Sequence, residues 1–244
     1  DYIKLLSAII NARPTEKMKI TEMRIPLDEE YKYDKNKAQY LATHIREVVF
    51  EQLITDKYEI MYEKEIGKQE HPDYLEDNKM VTAFFKHNPN ISRPDNLSPF
   101  VYRFELDKTK MYIINITIND IVRMIRKHLP DLFVVYADQN EKIICMKLYL
   151  RATTTGYNTI GPINTAKLNK FQVQIKEFLI RGIPRIKSTS VETFSRTHVE
   201  KDGSMVKKQE YYIKTSGTNL SAVMDLEHVD TLNVNSNSAI EMEQ

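Results

Sequence analysis

The sequence predicts an α+β fold, with mixed or antiparallel sheets and packed helices, and three observations between residues 98 and 150 predict it. Phe100, Tyr102, Phe104 and Leu106 alternate with Val101, Arg103 and Glu105, the period of a strand with one buried face. Ile118, Ile121, Val122, Ile125 and Leu129 then recur at helical spacing. Thr117 stands at the N-cap position, Asp120 replaces the usual capping-box glutamate, and Pro130 stops the run. Finally, residues 132–136 and 142–150 are two apolar runs separated by the turn-forming stretch 137–141. Strand, helix and hairpin in this order make a sheet with one helix laid across it.

The other elements are placed around that module. Residues 2–13 read as a short helix ended by Pro14. Residues 19–27 alternate loosely as a strand through Ile20, Met23, Ile25 and Leu27, and Asp28, Glu29 and Glu30 form a loop. From Asp34 a helix is expected through Ala38, Leu41, Ala42, Ile45, Val48, Val49 and Leu53, one apolar stripe with His44 and Arg46 off it at the surface. Tyr58, Ile60 and Tyr62 alternate with charged neighbours, so 57–63 is a half-exposed strand. The connection 64–97 is long and polar, with Pro72, Pro89 and Pro94 and a weak helix near 73–85; connections of this length are usually functional or mobile. After Arg151 comes a low-order loop, then helical spacing over 167–178. A hairpin follows, with arms 191–199 and 205–214 around Asp202-Gly203. Ser216-Gly217 marks a turn, 220–224 a short helix, and the polar tail beyond Asn233 is expected to be poorly ordered.

Composition bounds the function. The 244 residues suit one large domain or two modest ones, with 41% apolar content for a core. Lys plus Arg number 35 against 34 Asp plus Glu, so net charge alone implies no nucleic-acid binding. Its distribution is uneven: residues 142–214 hold 14 basic and 5 acidic side chains, and 215–244 hold 5 acidic and no basic ones. Two readings stand for the basic half, a phosphate-facing surface or a solvated charged face. Cys145 is the only cysteine, so the chain holds no internal disulfide. Its apolar run marks a buried core thiol rather than a nucleophile, which fits a reducing, intracellular setting. No apolar run approaches the ~20 residues of a membrane span, and no membrane partner is expected. Asp1 is not a natural start, and Ile3, Leu6 and Ile10 read as mid-helix, so a longer parent protein is expected.

Catalytic signatures are missing. The six glycines form neither a phosphate-cradling nor a dinucleotide motif, and the six histidines lack metal-ligand spacing. His71 and His87 read as solvated. No paired aspartates stand ready for magnesium, and Glu29-Glu30 lies in a loop where nothing desolvates it. No catalytic residue, metal ligand or cofactor is therefore expected in this chain. The best candidates for contact are Arg181, Arg185 and Lys187, with Lys167 and Lys170 upstream, which can neutralise phosphates without reading bases. The competing reading is ordinary surface charge. Aromatic interleaving is absent there, so duplex backbone suits them better than single strand. Tyr58, Ile60 and Tyr62 could offer a sheet edge to a partner strand.

Four segments, SPFVYRFELD, DLFVVYADQNEKIICMKLYL, LIRGIPRI and EYYIKTSGTNLSAVM, occur in an order that resembles the C-terminal third of the largest subunit of eukaryotic-type, multisubunit DNA-directed RNA polymerases. The opening KLLSAIINAR is similar to the end of that family's trigger loop. The resemblance implies a jaw over 53–178. This jaw would be inserted between 1–52, the end of a trigger-loop helix with a first cleft segment, and 179–244, a second cleft segment. Jaw and cleft would line the path of downstream duplex DNA. The implied protein partners are the second-largest subunit, a small zinc-ribbon subunit and the transcript-cleavage elongation factor. Arg181 and Gly182 match the family's Arg-Gly, and Gly217, Asn219 and Leu220 its Gly-x-Asn-Leu. The glycines read as tight turns and Arg181 as a structural or DNA-facing charge. Phe100 stands where tryptophan is common, and Ser216 where aspartate is. The magnesium-binding motif, the bridge helix and the trigger-loop tip are absent from the sequence, so magnesium would act elsewhere in the full enzyme and this chain would be inactive alone. A Lys/Asn/Ile-rich sequence with compact loops suggests a large DNA virus, hence host cytoplasm or virion, with the nucleus as the setting otherwise. A protein-interaction module without DNA contact is the alternative.

Overall fold

Alternation at Met23, Ile25 and Leu27 buries all three side chains on one side of β1 (Glu22–Pro26). A computed structural model describes residues 21–68, 71, 74–151 and 165–237. The helix expected over 2–13 and most of the loop after Arg151 lie outside them. The chain divides into two compact units, one running Val48–Ile180 and the other built from the segments on either side of it.

In the flanking unit, β1 sits in an antiparallel sheet of order β10 (Asn235–Ser236), β1, β9 (Met205–Ser216), β8 (Ser188–Val199). The predicted hairpin is β8 (Ser188–Val199) with β9 (Met205–Ser216), paired without a break from Ser188↔Ser216 to Val199↔Met205. Gly203 supplies the positive φ of 85° that its loop requires. β10 (Asn235–Ser236) pairs with Met23 and Arg24, so part of the tail expected to lack order is a strand. Its polar side chains gave no apolar signal, because short edge strands are held by backbone hydrogen bonds rather than burial.

Asp34 caps α1 (Lys35–Ile45), its carboxylate accepting from the backbone N–H groups of Asn36 (2.8 Å) and Lys37 (3.2 Å). Ala38, Ala42 and Ile45 pack with Met23, Ile25, Ile213 and Val223 as the core of this unit. The helix ends eight residues before the expected Leu53. Arg46 adopts an extended backbone, and the Ile45 carbonyl accepts from the Ile183 N–H at 2.9 Å. Val48 and Val49 then form β2 (Val48–Val49), and Phe50–Leu53 is a turn of 3₁₀-helix. Val48 and Leu53 are buried in the core of the Val48–Ile180 unit. The apolar stripe continued because these positions are buried, not because they are helical. His44 and Arg46 are exposed, as expected.

The Val48–Ile180 unit is an antiparallel sheet covered on both faces. Its strands are β3 (Ile54–Tyr62), β4 (Leu97–Leu106), β5 (Leu132–Tyr136) and β6 (Ile144–Arg151), in the order β3–β4–β6–β5. The β5–β6 hairpin runs from Leu132↔Leu150 to Tyr136↔Met146, as the two apolar runs predict. The long polar connection holds α2 (Leu75–His87), and Val81 and Phe84 on it pack against Val101, Val135 and Tyr149. On the other sheet face, Tyr102, Phe104 and Leu106 join Ile118, Ile121, Val122 and Ile125. β4 is therefore buried on both faces, not one, and helices cover both sides of the sheet.

Two more helices precede or cap that core. Asp107 caps α3 (Lys108–Ile114), which periodicity did not reveal, and α4 (Ile118–His128) opens with the anticipated capping box. The Thr117 hydroxyl accepts from the Asp120 N–H at 3.2 Å, and the Asp120 carboxylate accepts from the Thr117 N–H at 3.0 Å, so aspartate completes the box. The unit closes with α5 (Thr165–Lys176). β7 (Leu179–Arg181) then pairs with β2, so the ladder lies where the chain enters and leaves the unit. Beyond the hairpin, Asn219 caps α6 (Leu220–Met224), the predicted short helix.

Candidate functional site

The Arg-Gly-Ile-Pro-Arg-Ile-Lys stretch is a close backbone crossing. Gly182 has φ of 90°, and a Cβ there would stand 2.0 Å from the Arg46 carbonyl oxygen, so no side chain fits. Gly217, also at φ 90°, would meet the Arg185 carbonyl oxygen at 1.8 Å. The two glycines of the predicted turns thus let three backbone segments approach one another. Glu47 ties the crossing from beneath. Its buried carboxylate accepts from the Arg185 N–H and from the Lys187 ammonium, and its own N–H donates to the Ile186 carbonyl at 2.8 Å.

The predicted cations fare differently. Arg185 is exposed in a left-handed backbone conformation (φ 77°), and Arg181 is half-buried on β7. Lys187 is exposed but its charge is balanced by Glu47. Glu47 thus holds the backbone of Arg185 and the side chain of Lys187. Lys170 is exposed on α5, in the Val48–Ile180 unit, and the side chain of Lys167 lies outside the described residues.

Tyr58, Ile60 and Tyr62 lie on β3, an edge strand, directly opposite Phe104, Tyr102 and Phe100 of β4. Tyr58 is 39% and Tyr62 53% exposed, whereas Ile60 packs on the core. The Lys176 ammonium sits 4.3 Å from the centre of the Tyr58 ring, donates to its hydroxyl and pairs with Glu51 at 2.7 Å. This holds Tyr58 in place while Tyr62 stays open.

One feature of the unit escaped the sequence reading, a buried ionic network under α2. Lys147 is fully buried, donates to Glu63 and lies 3.5 Å from Asp77. The Tyr149 hydroxyl and the Gly67 N–H also donate to Glu63, at 3.0 and 3.2 Å. Arg103 grips Asp77 through Nε (2.7 Å) and Nη2 (3.2 Å) and reaches Glu105 at 3.1 Å. Burial, the largest single influence, would lower the Arg103 pKa; hydrogen bonding to Asp77 and Glu105 and the negative charge of Asp77 together outweigh it and keep the guanidinium charged. The readable signal was Lys147 itself, a lone cation inside the apolar run 144–150, which can be buried only with a partner. The network is structural in character, with no open face toward a substrate. Among the described residues no group of three or more His, Cys, Asp or Glu side chains could hold a metal ion, and no helix is long and apolar enough to cross a membrane.

Residues 50–170, nearly all of the inserted unit, match the family described as RNA polymerase Rpb1, domain 7. Similarity extends well beyond that domain, over 94% of the chain, and the chain belongs to the family of RNA polymerase largest subunits. It is similar to the DNA-directed RNA polymerase RPB1 homolog of African swine fever virus. Identity is 28% over 242 residues for a South African tick isolate and 29% over 242 residues for a Kenyan pig isolate. The chain spans 16% of the length of these relatives.

Proposed function

We propose that this segment supplies the jaw and cleft surfaces of a viral-type RNA polymerase largest subunit, guiding downstream duplex DNA and docking other polymerase subunits during transcription. The observation that carries the reading is topological. The stretch matching Rpb1 domain 7 coincides with a unit inserted between two segments that fold together, the arrangement expected of a jaw set within a cleft. The segment works by electrostatic guidance and by presenting surfaces. Its sequence lacks the magnesium-binding motif, so the nucleotidyl transfer and its magnesium would reside elsewhere in the full enzyme. The second-largest subunit, a small zinc-ribbon subunit and a transcript-cleavage elongation factor are the proposed protein partners, in an intracellular setting.

Arg181, Arg185 and Lys187 are the proposed DNA-facing cations, joined by Lys167 and Lys170. Changing Arg181, Arg185 and Lys187 together to alanine in the assembled polymerase is expected to weaken retention of downstream duplex. Each lost phosphate contact should make the salt dependence shallower by about 0.9 in log–log slope. Because Glu47 already balances Lys187, changing Lys187 alone should weaken retention less than the triple change does. Unchanged retention and an unchanged slope would remove these residues from the DNA path.

A second reading, a protein-docking module without DNA contact, is favoured by the open edge of β3 and the exposed Tyr58 and Tyr62. Photo-crosslinkers placed at Tyr58, Tyr62 and Arg185 in the assembled enzyme separate the two. Adducts to another subunit from β3, with none to DNA from Arg185, would favour docking alone.

A further inference from the structure

The β8–β9 hairpin outruns the sheet to which it belongs. β1 pairs with β9 only from Glu22↔Ser216 to Pro26↔Tyr212, whereas the β8–β9 ladder continues through Thr193↔Tyr211 to Val199↔Met205. This distal part of β8 covers six steps (199 minus 193), roughly 20 Å at about 3.3 Å per residue. The base of the hairpin is tied to its own unit: the Thr189 hydroxyl donates to the Ala42 carbonyl at 2.9 Å, and Val191 packs on the core. Farther out, Thr193, Phe194, Ser195, Arg196, Thr197 and Val199 are exposed. A two-stranded ribbon by itself is marginal in water, and a third strand or a packed face is what stabilises it.

Register decides which backbone groups of this stretch point outward. The Glu200 N–H donates to the Ser204 carbonyl at 2.8 Å, and in an antiparallel ladder bonded and non-bonded pairs alternate. The even-numbered residues of β8 therefore exchange hydrogen bonds with β9, and the odd-numbered ones face away from it. β9 agrees: the N–H of Tyr211, opposite Thr193, donates away from β8, to the Lys32 carbonyl at 2.7 Å. Among the described residues, the outward N–H and C=O groups of Thr193, Ser195, Thr197 and Val199 have no hydrogen-bond partner.

Open strand edges invite unwanted pairing, and folded chains blunt them with short length, charge, proline or bulges. The other edges of this chain are blunted in that way. β3 breaks register between Ile54 and Tyr58 and carries Asp56, Lys57 and Glu59, β5 has five residues and β10 two. β8 has twelve residues in unbroken register, with no proline, glycine or lysine. We infer that the 193–199 edge of β8 receives an extended strand from another polymerase subunit, which becomes the third strand of the ribbon. This rests on the reading of the chain as a segment of a multisubunit polymerase. A row of alternating donors and acceptors at strand pitch complements an extended polypeptide, whereas a phosphate backbone accepts but does not donate. The side chains beside the row, Thr193, Ser195, Thr197 and Val199, are uncharged and mostly β-branched. The incoming strand should therefore carry valine, isoleucine or threonine at alternate positions. Its source is a neighbouring subunit because the chain's own unit covers the base of the hairpin and leaves the projecting part bare.

The test compares amide hydrogen exchange of the 244-residue chain alone and in the assembled polymerase, read residue by residue by mass spectrometry. In the chain alone, the amides of Thr193, Ser195, Thr197 and Val199 should exchange without protection. In the polymerase they should slow by about a hundredfold. A photo-crosslinker in place of Phe194 should give an adduct to another subunit. Ser195→Pro/Thr197→Pro removes two outward donors but no β8–β9 hydrogen bond, a change that an edge strand tolerates. It should cut that adduct about tenfold, whereas Ser195→Ala/Thr197→Ala, which keeps both donors, should not. Protection of the Phe194 and Arg196 amides checks that the ladder survives the prolines; if it does not, exchange in the unaltered chain still decides. Exchange unchanged on assembly, protection already present in the chain alone, or adducts only to DNA or to the largest subunit itself would each overturn the assignment. Arg181, Arg185 and Lys187 are untouched throughout, so such a result with normal duplex retention removes the strand site and leaves the proposed DNA role standing.

Discussion

Cys145 lies in β6 with its thiol buried beside Asp77 and Arg103. Burial is the largest influence on it, and the Asp77 carboxylate adds to it. Together they push the thiol from an ordinary 9.0 up to about 12 against the pull of Arg103 and Lys147. Below pH 9 both folded and unfolded chains keep the proton, and the contribution of this group is fully present. Between 9 and about 12 only the unfolded chain loses it, so stability falls as pH rises. Urea unfolding of the parent and of Cys145→Ala across this range should show the difference between them shrinking by roughly 1 kcal/mol near pH 10. A constant offset would contradict it. The apolar run around Cys145 was enough to read a core thiol. Its charged neighbours were not readable, because Asp77 and Arg103 come from α2 and β4, far away in the chain. Gly182 and Gly217 were legible as turns, but their closeness to the backbone of residues 46 and 185 belongs to the crossing alone.

At the scale of elements, β6 and α2 are joined by charge as well as by packing. Lys147 on the sheet meets Asp77 on the helix and Glu63 at the end of β3. Replacing Lys147 by alanine leaves Glu63 buried without a cation, a loss expected to cost about 3–5 kcal/mol. Lys147→Met combined with Glu63→Gln removes both charges and should recover much of that, a non-additivity visible in denaturant midpoints. A cost under about 1 kcal/mol for Lys147→Ala would show that Glu63 does not depend on it. The same elements show why periodicity was plain for α4, overran the end of α1 and gave only a weak signal for α2, which is a helix as expected. α4 has one core and one solvent side, so its stripe and its Thr117–Asp120 box were both plain. The apolar stripe of α1 ran on into β2 and the 3₁₀ turn because those residues are buried too, and α2 covers its sheet face with few apolar side chains.

For the whole molecule, the ladder of β2 with β7 brings the entry and exit of the Val48–Ile180 unit together, and this unit has its own core on both sheet faces. Residues 48–180 expressed alone should therefore fold and unfold in one cooperative transition in urea, monitored by tyrosine fluorescence and circular dichroism. A broad, non-coincident transition would mean that the flanking unit is needed. The ordered motifs, the strand and helix periods and the hairpin turns are local in the chain, so the sequence by itself determined the α+β class, most elements and the kinship with polymerase largest subunits. Which faces are doubly covered, and how Glu47 holds both the Arg185 backbone and the Lys187 ammonium, are contacts between residues distant in the chain. The tertiary structure alone decided them, because strand register and side-chain pairing are set where elements meet, not where they are written.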